Sequence, residues 1–304
     1  MSLPPESDFW QAGLVSAPIT GLLEPAALAA QRESVVWLPD PGPWRYLADP
    51  FGLQHRGTTH VFVEAFDYRT KHAVIEHHEF DRELVWRGRS TVLARPFHLS
   101  YPFIVEDGGE VFMIPESQRN NEIALYRARR FPGDWVRETP LLAGVPGAEA
   151  SLLLHEGHWW MFFTIVGPRA RDQRELHVAH ADRLAGPWRL HPQNPVLDDR
   201  AGARPGGTPF VGPDGRVTLP VQDCSRTYGG ALRFLRFTTL DPLTTVVEHL
   251  PARLTGDLVS GTHSDGLHTL ARCGEVTLLD TKRLVKSWGR YGVDLNRRLK
   301  RLVS

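Results

Sequence analysis

The sequence predicts an all-β protein: a five-bladed β-propeller of four-stranded blades, its ring closed by an N-terminal strand. Two observations predict it. Five segments of the 304-residue chain can be laid over one another, starting at Asp49-Pro50-Phe51, Tyr101-Pro102-Phe103, Glu149-Ala150-Ser151, Thr208-Pro209-Phe210 and Asp265-Gly266-Leu267, with spacings of 52, 48, 59 and 57 residues. Each spacing is long enough for one four-stranded blade, and such repeats outrank local patterns in deciding a fold. Each start also opens an apolar run, a turn and a second apolar run, while long helical patterns are nearly absent.

The first two strands of a blade are clearest in the second segment, where Phe103-Ile104-Val105 and Val111-Phe112-Met113-Ile114 flank Glu106-Asp107-Gly108-Gly109. The third segment repeats this with Leu152-Leu153-Leu154, a His155-Glu156-Gly157-His158 turn and Trp159-Trp160-Met161-Phe162-Phe163, and the fourth with a Pro213-Asp214-Gly215 turn. Asp-Gly and Gly-Gly between apolar runs signal hairpins because these residues tolerate the positive φ of tight turns. The runs are continuous rather than alternating, as sheets covered on both faces require. Third strands are read at residues 73–80, 123–128 and 176–181. Trp86, Trp135 and Trp188 recur near the outer strand, where they are expected to seal the seams between blades. The fifth blade ends soon after Asp280, so its outer strand is expected from residues 9–15. Helices are expected only at 25–32 and 294–302. The whole chain reads as one domain, its propeller core at about 9–283 and a basic tail at 284–304. A β-sandwich, the competing all-β fold, gives no reason for five hairpins in one register.

Composition narrows the function classes. Lys plus Arg and Asp plus Glu balance at 35 each, so no global field favours nucleic acid. Two cysteines, Cys224 and Cys273, make neither a disulfide framework nor a zinc set, and they read as free thiols of a reducing compartment. The start, Met1-Ser2-Leu3-Pro4-Pro5, has neither a cationic nor an apolar stretch, so a cytoplasmic location is expected. No cofactor is expected, and no metal, a central ion on His263 or His268 being the weaker reading.

The register also carries chemistry. Fifteen residues after the five starts lie Glu64, Glu116, Thr164, Asp223 and Asp280. A hairpin of that length returns to its own level, so starts and returns are expected to share one mouth of the central channel. Seven of these ten positions are acidic: Asp49, Glu64, Glu116, Glu149, Asp223, Asp265 and Asp280. Strand ends are wet and carry acids for that reason alone, yet like charges gathered in a concavity are destabilising without a use. Crowded carboxyls divide into ionised and protonated members, which general acid/base cleavage of a glycosidic bond requires. Around them, His98, Arg204, Gln222, His263 and His268 suit hydroxyl, carboxylate or phosphate groups. Tyr101, Trp44 and Tyr228 suit stacking on a sugar face.

Four motifs carry a family resemblance: Ala48-Asp49-Pro50-Phe51, His98-Leu99-Ser100-Tyr101-Pro102-Phe103, Met113-Ile114-Pro115-Glu116-Ser117, and Gln222-Asp223-Cys224-Ser225 with Tyr228-Gly229. Over residues 10–283 the chain resembles the propeller domain at the N-terminus of plant glucosamine inositolphosphorylceramide transferases and, more distantly, the five-bladed glycosidases of family 43. The glycosidase resemblance implies Asp49 as general base and Glu149 as general acid. It also implies a second-blade acid, where this sequence has Tyr101; Glu116 stands close enough in register to substitute, with Asp223 as a further positioning acid. The plant resemblance implies that transferase chemistry lies in another domain, so sugar transfer is not expected here.

The reading is a propeller that takes a small sugar or glycosylated metabolite and cleaves or rearranges it. The alternatives are a non-catalytic carbohydrate-binding or scaffolding propeller and a biosynthetic enzyme using the same acids without hydrolysis. In the tail, Leu295, Leu299, Leu302 and Val303 suit one helical face opposite basic residues. That face is expected to pack on the propeller with the charges solvated. The competing reading is contact of the basic tail with an anionic membrane surface or carrier.

Overall fold

A computed structural model describes residues 3–303, with side chains up to residue 299. The strands form five antiparallel sheets, each with a path of four strands, arranged as a propeller. From the axis outward, blade 1 is Arg45–His55, Thr58–Asp67, His72–Phe80 and Trp86–Leu93. Blade 2 is Ser100–Asp107, Glu110–Glu116, Glu122–Arg130 and Gly133–Ala143. Blade 3 runs Gly147–His155, His158–Ile165, Glu175–Ala181 and Arg189–Leu190, with Leu197–Asp198 also pairing on its third strand. Blade 4 has a broken inner edge, Arg204–Pro205 and Phe210–Val211, before Val217–Asp223, Ala231–Leu240 and Thr245–His249.

Blade 5 closes the ring. Its inner strands are Leu270–Cys273 and Val276–Lys286, and the N-terminal strand Glu6–Val15 pairs with the latter along its whole length. The N-terminal strand is thus the third of the blade rather than the outer one. The outermost is Val36–Trp37, so the N-terminal region contributes two strands. The reason is that Val276–Lys286 runs well past Asp280, which leaves a long second strand to be covered.

Continuous apolar runs are buried on both faces, as in Val217–Asp223, every residue of which is buried. Trp135 packs edge-on to Phe62 across the seam of blades 1 and 2, whereas Trp86 is exposed at the ring's outer edge.

In blades 1 to 3 the inner strand carries the same irregularity. Pairing shifts between Ala48 and Phe51, between Ser100 and Phe103, and between Ala148 and Ser151. At each bulge a non-glycine residue takes a left-handed backbone: Asp49 at φ 50°, Tyr101 at 44° and Glu149 at 56°. Such positions cost of order 1–3 kcal/mol and persist only where the surroundings dictate them. They mark the starts of the first three repeats, and their equivalent placement confirms that register.

Candidate active site

At one end of the ring, Asp49, Glu64, Glu116 and Glu149 line a pocket of about 290 Å³ together with Arg204, His98, His268, Tyr228, Tyr46, Phe66, Ser100 and Trp10. All four carboxyls are buried or nearly so. The bulges aim Asp49 and Glu149 inward, and acids of neighbouring blades hold the bulge backbones. Asp280 Oδ2 accepts the Asp49 amide at 2.9 Å, and Asp49 Oδ2 accepts the Tyr101 amide at 3.2 Å. Glu116 accepts the Glu149 amide.

Two cations offset this charge. Arg204 donates through Nε (3.1 Å) and an Nη to Glu149 Oε1, and its other Nη reaches the Asp172 carbonyl at 2.7 Å. The Tyr228 hydroxyl lies 3.4 Å from the same Glu149 oxygen. The second oxygen, Oε2, is buried and has no hydrogen-bond partner among the described residues. His268 sits between two acids: Nδ1 is 2.8 Å from Asp280 Oδ1, and Nε2 is 3.4 Å from Asp49 Oδ1. Its ring stacks on Trp10 at 3.6 Å. Burial works against the charged imidazole, but Asp280 and Asp49 outweigh it and raise its pKa. Asp49, His268 and Asp280 offer one donor each within 4.8 Å of one another, the spacing of a metal set. The contacts just described use those donors among themselves.

Three of the carboxyls are pushed toward the protonated form. Burial, with the nearby Glu149 and Asp280 charges and against His268, raises Asp49 to about 7. Burial and Glu149 raise Glu116 to about 8 despite Arg204. Burial and the Asp49, Glu116 and Glu149 charges lift Glu64 well above the usual range. His98 approaches Glu64 at 3.4 Å, but burial depresses its pKa to about 4, so this is a contact between neutral groups rather than an ion pair.

Thus Asp49, Glu64, Glu116, Glu149, His98, Arg204, Tyr228 and His268 come together, and the other sequence-predicted residues do not line this pocket. Tyr101 lies beneath it, its hydroxyl 2.8 Å from Ser151 Oγ and accepting the Gly207 amide at 2.7 Å. Asp223 bonds Ser225 and Arg253 on an outer rim; burial opposes ionisation there, but these partners lower its pKa. Gln222 is buried and donates to the Pro205 carbonyl. His263 lines a neighbouring pocket with Trp44 and Arg283. Asp265 is exposed, and Thr208 lines the opposite end of the channel.

The register therefore holds in blades 1 to 3 and slips in blades 4 and 5, where Arg204 and the His268–Thr269 pair take the mouth positions. The cause is local: Gly206-Gly207 lets the inner edge of blade 4 lie against blade 5, and the ladder breaks there. Trp10, Tyr46, Phe66 and Asp172 are additional site residues. Trp10 was within reach of sequence reasoning, since it pairs with Lys282, two residues beyond Asp280 on the strand.

Fold and pocket together define a five-bladed β-propeller with a glycoside-hydrolase-like fold. Residues 38–248 match the family described as glucosamine inositolphosphorylceramide transferase 1, N-terminal, and the chain belongs to that family. A glucosamine inositolphosphorylceramide transferase 1 of rice (Oryza sativa subsp. indica) is 34% identical over 204 residues, which are 65% of this chain and 27% of the rice protein. The chain thus spans about a quarter of the length of that relative. Among solved structures, an α-L-arabinofuranosidase of Podospora anserina in complex with cellotriose superposes with a TM-score of 0.59 at 11% identity, over 88% of this chain and 85% of that one. A family 117 glycoside hydrolase of the marine bacterium Zobellia galactanivorans gives 0.54 at 12% identity, over 79% and 85%. These two likenesses concern the fold.

Proposed function

We propose that the protein acts on a sugar-containing small molecule by general acid/base chemistry, with Asp49 as proton donor and the Arg204-paired Glu149 as the accepting or attacking partner. The observation that carries this reading is the Arg204–Glu149 ion pair. A carboxylate held by a buried guanidinium, with one oxygen left free, is suited to accept a proton or attack. Asp49, buried and raised to about 7, retains a proton for a departing oxygen. The roles are exchanged relative to the assignment that the family 43 resemblance implies. Burial, with the Glu149 and Asp280 charges, favours the protonated donor, and Trp10 and Tyr228 are placed to face a sugar ring.

The name of the plant relatives and the glycosidase fold support a glycan-active reading. Sugar transfer, the activity in those relatives' name, is not part of the proposal, because the chain matches only about a quarter of the rice protein. A non-catalytic binding role has one observation in its favour: Tyr101 occupies the bulge of blade 2, where a third acid would stand.

The test is a pH–rate profile on aryl glycosides and glycosylated lipids, with Asp49→Asn and Glu149→Gln. Both variants are expected to lose at least ~100-fold in turnover while keeping the wild-type melting temperature within a few degrees. With Asp49 as donor, kcat/KM falls as pH rises through about 7. A rate that instead rises through that pH would return Asp49 to the role of base, and full activity in Asp49→Asn would favour the binding module.

A further inference from the structure

The C-terminal helix, Gly289–Val303, packs the opposite way from the expectation that its leucines are buried. Leu295 and Leu299 are 60% and 52% exposed, and with Trp288 (56%) and Tyr291 (51%) they form one outward apolar stripe. The inward side is ionic. Arg290 is buried, lies 4.2 Å over the Tyr68 ring and donates to Ser7 Oγ at 2.7 Å. Arg297 donates to the Tyr68 carbonyl at 3.0 Å, and both arginines pair with Asp294. The side chains of Leu302 and Val303 lie outside the described residues. The physical reason for this packing is that Tyr68 and Ser7 offer partners for the guanidinium groups of Arg290 and Arg297.

We infer that this helix docks the protein on an anionic lipid surface. Charge complementarity selects that occupant. The segment 282–304 holds eight basic residues against one acid, Asp294; Lys282, Arg290 and Arg297 are turned inward, and so is Asp294, in its arginine pairs. Arg298 is exposed on the helix next to the stripe, Arg283 is exposed on the preceding strand, and the exposed Lys286 pairs with Glu6 at 3.7 Å. An apolar face flanked by cations, with Trp288 stacked on Tyr291 at its start, is the pattern of a helix lying in a membrane interface. A second copy of the chain fits less well. Half-exposed side chains of this size offer roughly 400 Å² together, about half of the ~800 Å² per partner that a stable interface takes.

The helix sits on the pocket's side of the ring. Tyr68, under Arg290, packs edge-on against Tyr46, whose hydroxyl is 3.4 Å from Glu64 in the pocket. Docking therefore sets the mouth beside the headgroup layer. This inference does not rest on the acid/base reading.

The experiment is co-sedimentation of the full chain with vesicles of equal parts phosphatidylglycerol and phosphatidylcholine, and with phosphatidylcholine alone, at low and high salt. Binding to the anionic vesicles is expected to exceed that to neutral ones by at least ~10-fold and to weaken with salt. Leu295→Glu with Leu299→Glu is expected to abolish it, and Arg298→Glu to reduce it roughly fivefold, both with an unchanged melting temperature because these side chains are exposed. Absence of wild-type binding overturns the inference, as does undiminished binding of the double variant. A concentration-dependent dimer that the double variant disrupts, without vesicle binding, overturns it in favour of a second copy.

Discussion

Glu116 shows what gathering acids in a closed space does to one residue. In the unfolded chain it ionises near the usual carboxyl value, and in the folded protein only at about 8, with Asp49 at about 7. Between those limits the folded state binds more protons, so stability is greatest at low pH and is lost as pH rises through 7 and 8. His268 has the same sign, because its raised pKa means that the charged form is lost late. The melting temperature is therefore expected to decline from pH 6 to 9, and Glu116→Gln to flatten that decline and stabilise the protein at pH 9 by about 1–3 kcal/mol. A steeper decline in the variant would contradict this electrostatic account. Tyr101 illustrates the opposite case, a polar side chain used for structure. Tyr101→Phe leaves the buried Gly207 amide without its acceptor and is expected to cost about 1–3 kcal/mol in denaturant unfolding. Because its hydroxyl lies below the pocket, any glycoside turnover should survive.

Among the elements, the three bulges and the blade 4–5 seam divide what the sequence discloses from what it hides. Asp49, Tyr101 and Glu149 were legible because each is followed by an apolar hairpin of similar length, so spacing alone places them together. Hairpin signals such as Glu106-Asp107-Gly108-Gly109 fixed the next strand, and with it Glu64 and Glu116. In blade 4 the same count landed on Thr208 instead of Arg204, because a two-part inner edge breaks the count. Blade 5 misled in the same way, with Asp265 in place of His268. Asp172 gave no signal, since it reaches Arg204 from a turn at Pro168–Gln173 outside the repeat. The tail was read as amphipathic correctly but facing the wrong way, because periodicity finds a stripe without saying which side meets the protein. The seam itself makes a prediction. A Cβ on Gly207 would lie 1.9 Å from the Leu270 carbonyl oxygen at φ 143°, a backbone clash that no side-chain motion relieves. Gly207→Ala is expected to cost more than ~3 kcal/mol. Gly144→Ala, at φ 73° in open space, should cost about 1 kcal/mol. Urea titration of the two variants compares them directly.

At the scale of the whole molecule, the ring depends on its ends. Glu6–Val15 pairs with Val276–Lys286 from Glu6 against Lys286 to Val15 against Thr277, and it buries Trp10, Ala12, Leu14 and Val15. Removing residues 1–15 exposes the long second strand of blade 5 as an apolar edge. The shortened protein is expected to aggregate or to lose cooperative unfolding, measured by circular dichroism and light scattering; a monomer with the parent melting temperature would show that the ring does not need its clasp. The same closure has a consequence for birth on the ribosome. Glu6–Val15 is translated about 270 residues ahead of its partner Val276–Lys286, a wait of roughly 15–50 s at ordinary elongation rates. Throughout that interval the nascent protein carries Phe9-Trp10-Gln11-Ala12-Gly13-Leu14-Val15 unsheltered, a segment in which aromatic and aliphatic residues dominate. Its yield in a cell should therefore respond to chaperones that hold such segments more than to the stability of the finished ring.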